Sequence, residues 1–215
     1  MRTETDVSEL FDMIAALFDP VLGQLEACSQ RVEVIIPFAE ALIQIGKVGE
    51  AIQLFGRIDD PRQRDEAYVK LVEALVGAEK LEQARQIMNQ IDEACLKVNA
   101  AIAIAEKSSE VEDVEAIRRL LPSLSKAEEL RSLAAIAGIT NHPDDFGRAW
   151  QAADAINDAR GSYTRDMGFF WIIRALARNG RFKQAIDTIQ RINLAFVESQ
   201  ALVVIGKALA EQTAV

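Results

Sequence analysis

The chain has 215 residues, half of them hydrophobic but only 6% aromatic, with 11 glycines and 5 prolines. That composition can fill a core and favours helices over many short strands. A net charge of −9 argues against phosphate-backbone binding and so against nucleic acid as a partner, and no run approaches the ~20 apolar residues of a membrane-spanning helix.

Residues 1–30 read as two short helices split by Pro20, capping a helical stack or lying in its groove as a built-in ligand. Glu4, Asp6, Glu9 and Asp12 interrupt the apolar residues there, unlike an export leader, so a cytoplasmic protein is expected. From residue 31 to 199 one pattern recurs, an Ala followed seven residues later by Ile: Ala51 and Ile58, Ala84 and Ile91, Ala149 and Ile156, Ala185 and Ile192. A further copy is placed at Ala116, with its apolar end one residue late at Leu124. The alanines are spaced by 33, 32, 33 and 36 residues, a period that marks helical-hairpin repeats.

Within each unit two apolar stripes at helical spacing flank a short polar turn. Gly46 and Gly180 supply two of those turns, and Pro61 and Asn141–Asp145 mark others. The alanines are points of close helix contact. Pro122 interrupts the second helix of the middle unit. Residues 200–215 read as a first helix without its partner, a C-terminal cap. The fold class expected is all-α, an α-α superhelix of about five helix-turn-helix repeats with capping helices at both ends.

Phe38, Ala39, Leu42, Gly46, Val48, Ala51 and Phe55 in the first unit, and Leu176, Gly180, Phe182, Ala185 and Ile189 in the last, resemble the tetratricopeptide repeat. The pattern departs from that family at Val72 and Ile173, where a small residue is usual, and at the isoleucines closing each unit, where alanine is usual. The resemblance implies that first helices line a concave groove. Glu33, Ile36, Glu40 and Ile43, then Glu66, Val69, Glu73 and Val76, then Met167, Phe170, Arg174 and Ala177 fall on those lining positions. Ile36 and Glu40 stand where family members that grip chaperone C-termini carry Lys and Asn, so that carboxylate clamp is not implied.

Little in the sequence points to chemistry. Cys28 and Cys95 have no CxxC spacing and read as buried thiols, and His142, the single histidine, reads as a surface residue. Acidic pairs at Asp59/Asp60, Glu128/Glu129 and Asp144/Asp145 fall at helix starts, where carboxylates cap amides and face water. Ser108 and Ser109 have no neighbouring base, and no nucleotide-cradling or nucleophile-elbow motif occurs. No metal and no cofactor are expected, and the chain is not expected to be an enzyme.

Charge is uneven along the chain: residues 1–130 hold 14 basic and 25 acidic side chains, residues 131–215 hold 10 and 8. The groove is therefore expected to be acidic at Glu40 and Glu73 and basic at Arg174 and Arg178, where Phe170, Arg174 and Arg178 form one stripe. The function expected is a non-catalytic scaffold that takes a peptide or helix of a protein partner. A structural or oligomerisation module, compatible with a homo-oligomer, and an all-α enzyme with a site in the groove are the alternatives.

Overall fold

A computed structural model describes residues 13, 14, 16, 17, 20, 21, 28–156 and 161–213. Among these residues there is no strand, so the chain is all-α. The helices in chain order are α1 (Cys28–Gln44), α2 (Val48–Phe55), α3 (Pro61–Gly77), α4 (Leu81–Met88), α5 (Ala94–Ser108), α6 (Val111–Leu120), α7 (Lys126–Thr140), α8 (Pro143–Asp154), α9 (Gly161–Arg178), α10 (Phe182–Ile189) and α11 (Ala195–Thr213). First helices of 15–18 residues alternate with second helices of 8–12. The proposed cap at 1–30 lies mostly outside the described residues. At the other end the helix expected from residue 200 begins at Ala195.

Each of α1, α3, α5, α7 and α9 is followed within two residues by one in the left-handed region: Gly46 (φ 89°), Glu79 (61°), Ser109 (56°), Asn141 (52°) and Gly180 (70°). Two kinds of turn follow. After Gly46, Glu79 and Gly180 the next residue, Lys47, Lys80 or Arg181, donates its N–H five residues back, to Leu42, Leu75 and Leu176 at 2.8–2.9 Å. The left-handed residue itself donates three back, to Ile43, Val76 and Ala177, which completes the two-bond Schellman closure. At Ser109 and Asn141 a single bond runs four residues back, to Ala105 and Ala137.

Those two simpler turns carry a polar lock instead. Ser108 Oγ donates to Asp113 Oδ2 at 2.6 Å while accepting the Glu110 N–H, and Thr140 Oγ1 donates to Asp145 Oδ2 at 2.8 Å while accepting the His142 N–H. Their second helices start six residues before the repeat marker rather than three. Ile117, fully buried, takes the place of the half-buried Ala116, and Leu124 then falls seven residues later, as in the other copies. The sequence register at Ala116 was one residue early. α6 ends at Leu120 and a 3-10 turn, Leu121–Ser123, carries Pro122.

The chain forms two compact units, residues 1–104 and 105–215, with the boundary inside α5. In the first, α1 packs on α2 and α3, and α3 on α4. Ala51, Ala84, Phe55, Leu71, Leu75, Ile87 and Ile91 are buried there, the two alanines completely. In the second, α7, α8, α9, α10 and α11 share one core in which Phe146, Phe169, Ile172, Ala149 and Ala185 are fully buried. α7 and α9 approach closely: a Cβ on Gly138 would sit 3.2 Å from Ala175 Cβ, and one on Gly168 would collide with Leu130 Cδ2.

A buried aspartate ends one hairpin and starts the next in both units. Asp65 Oδ2 accepts the N–H groups of Asp92 and Glu93 (3.0 and 2.9 Å) just before α5, and Asp166 Oδ2 accepts those of Asn193 and Leu194 (2.9 and 2.8 Å) just before α11. The two clasps are 101 residues apart and satisfy donors that a helix N-terminus leaves open. Carboxylates ordinarily sit at the surface, but Asp65, Asp113, Asp145 and Asp166 are buried.

Candidate functional site

Glu40 and Glu73 belong to the first unit and Phe170, Arg174 and Arg178 to the second. Glu40 is exposed on α1 and lines a hollow of about 320 Å³ with Ile43, Gln44, Ala74, Gly77 and Ala78. Glu73 is exposed on α3 but outside that hollow, and it pairs with Lys70 at 2.8 Å, as Glu66 pairs with Arg62 at 3.2 Å. The outward side of α3 thus neutralises part of its own charge. Ile43 and Val69, expected along the same lining stripes, are buried.

On α9 the helical period places Phe170, Arg174 and Arg178 on one stripe. Phe170 is half-buried and packs against the core of the second unit, as do Met167 and Trp171. The aromatic run splits by helix geometry: Phe169 is fully buried with the guanidinium groups of Arg165 (5.4 Å) and Arg191 (4.5 Å) over its ring, and Phe170 and Trp171 keep part of their surface. Arg178 reaches Glu106 at 2.7 Å. Arg174 is exposed and makes no ion pair with the described residues. Ala177, also expected to line the groove, is buried.

A second concavity, about 550 Å³, lies between α6 and α8 and gathers Ser109, Glu115, Arg118, His142, Asp144 and Arg148. Arg118 Nη2 meets both oxygens of Asp145 (2.9 and 3.1 Å) and its Nη1 meets Glu115 (3.0 Å). His142 is the N-cap of α8, its Nδ1 accepting the Asp144 N–H at 3.3 Å, and its side chain is exposed. These bonds close helix ends. They also correct two expectations: Asp145 is buried rather than water-facing, and Cys95 is only half-buried, its thiol donating to Glu93 Oε1. The Cys28 side chain lies outside the described residues.

No protein family, curated protein or solved structure matches this chain. The assignment of function therefore rests on the residues. Asp60 accepts the Gln63 N–H at the start of α3, and Glu128 completes a capping box with Ser125, so these acidic side chains serve helix termini. Among the described residues no group of three or more His, Cys, Asp or Glu gathers in a way that could hold a metal, and no helix is long and apolar enough to cross a membrane.

Proposed function

We propose that the five hairpins are tetratricopeptide-like repeats and that the chain is a non-catalytic scaffold for an acidic peptide or helix of a protein partner. The repeat reading is supported by five left-handed turn residues, each between a long and a short helix. One observation carries the choice of partner: Arg174 is an exposed guanidinium that pairs with no acid among the described residues, one turn from the part-exposed ring of Phe170 and one turn from Arg178. A guanidinium fork beside an aromatic edge suits a carboxylate that arrives with an apolar neighbour.

The test is selection of displayed random peptides on the immobilised chain. Enrichment of sequences that combine Asp or Glu with an apolar residue is expected, with loss of their binding to Arg174→Glu, Arg178→Glu. Both substitutions lie on the exposed side of α9 and leave the melting temperature within about 2 °C. Peptides that bind the folded double variant as well as the parent would remove α9 from the function.

A further inference from the structure

Asn179 follows α9 directly and is the one asparagine of the sequence with a glycine after it. Its Nδ2 donates to Gly138 O at 2.8 Å and to Ala175 O at 2.9 Å. Gly138 lies in the last turn of α7, and the N–H four residues on, that of His142, goes to Thr140 Oγ1 instead. Asn179 therefore supplies a donor to a helix-end carbonyl that the Thr140 lock leaves open. This tether falls where α7 and α9 approach closely, at Gly138 and Ala175.

The next position is restricted to glycine for separate reasons of conformation and space. Gly180 has φ of 70°, and a Cβ there would lie 3.0 Å from Gln212 Nε2. A donor needed at 179 and a glycine needed at 180 together make an Asn-Gly dipeptide, in which no side chain shields the backbone nitrogen from the amide carbon before it. In the closed turn that attack is blocked. The Gly180 N–H donates to Ala177 O at 3.0 Å, and the Asn179 amide is held by its two carbonyls. Asn179 is half-buried and Gly180 exposed, so water reaches the turn as it opens.

We propose that Asn179 is a site of spontaneous deamidation gated by opening of the turn between α9 and α10. The Gly180 nitrogen loses its proton and bonds to Asn179 Cγ, Nδ2 leaves as ammonia, and a cyclic succinimide closes. Water then opens the ring. Attack at Cγ gives aspartate, and attack at the backbone carbonyl gives isoaspartate, whose main chain carries an extra methylene. Neither product donates to Gly138 O; a carboxylate faces the two carbonyl oxygens instead. A turn that opens and reacts cannot close as before, so the chemistry is a ratchet that makes a transient opening a permanent loss of the tether between α7 and α9. Water is the only co-reactant, and the step does not depend on the proposed function.

Mass mapping of the purified full chain, incubated at one pH and temperature in buffer and in guanidinium chloride, tests this. Cleavage before Asp166 and Asp187 releases residues 166–186, in which Asn179 is the only asparagine. Conversion of its amide to a mixture of aspartate and isoaspartate is expected, ~10-fold or more faster in denaturant than in buffer, because the folded chain reacts only through its open fraction. Asn179→Gln, whose longer side chain closes a less favoured ring, leaves the peptide unmodified over the same time. Asn179→Asp, made directly, is expected to lower amide-exchange protection in the last turns of α7 and α9. An unmodified parent peptide in denaturant overturns the site. Equal rates in buffer and denaturant overturn the gating, and an Asn179→Asp chain with parental protection in those turns overturns the ratchet.

Discussion

Single residues in this molecule are placed by backbone geometry as much as by hydropathy. Gly46 has φ of 89° with open space where a side chain would project, so Gly46→Ala isolates the cost of a left-handed Cβ. A loss of about 1–2 kcal/mol in denaturant unfolding is expected. Ser109 pays that cost already, and Ser109→Gly is expected to stabilise by ~0.5–1 kcal/mol once the entropy of glycine is subtracted. A midpoint that does not rise would place the strain elsewhere. At Asp166, removal of the carboxylate leaves two N–H groups bare at the start of α11. Asp166→Ala is expected to lower stability by about 1–3 kcal/mol, and Asp166→Asn by less, because an amide oxygen still accepts both bonds.

At the scale of elements, what was readable in the sequence followed side-chain size and what was missed followed polar bonding. Glycine betrayed the turns at 46 and 180. Glu79, Ser109 and Asn141 fill the same role without its signature, and the third register slipped because Ala116 and Ile117 are adjacent and only burial tells which of them faces the core. The buried clasps left a trace that was available: Arg-Asp at 64–65 recurs at 165–166, the 101-residue spacing that also relates the rest of the second and fifth hairpins. Packing of α7 on α9 makes a sharper prediction. Gly168→Ala would drive a methyl into fully buried Leu130 and is expected to cost about 1–3 kcal/mol. Leu130→Ala made in the same chain recovers part of that loss, a coupling that a double-mutant cycle measures; strict additivity would show that the two helices are not in contact there.

For the molecule as a whole, the division at residue 104 separates unequal charge: residues 1–104 carry 10 basic and 18 acidic side chains, residues 105–215 carry 14 and 15. Self-repulsion is therefore concentrated in the first unit. Raising ionic strength from about 0.01 to 0.15 M shortens the screening length from ~30 to ~8 Å, and amide-exchange protection is expected to increase in α1–α4 and to change little in α7–α11. Equal changes in both would mean that local ion pairs, such as Lys70–Glu73, already cancel the excess. The site was legible only in part. The α9 stripe could be placed from helical spacing, whereas the pairing that distinguishes Arg178 from Arg174 depended on Glu106, 72 positions away in sequence.

The matching locks at Ser108–Asp113 and Thr140–Asp145 give the chain an interchangeable cassette. Both hydroxyl-to-carboxylate bonds span five residues, both turns close with the same single backbone bond, and the two are 32 residues apart. Excising residues 110–141 would join Ser109 to His142, leaving Ser108 to cap the new junction and Asp145 to receive its hydroxyl. Repeating the same stretch would lengthen the protein by one hairpin through two joints it already knows how to make.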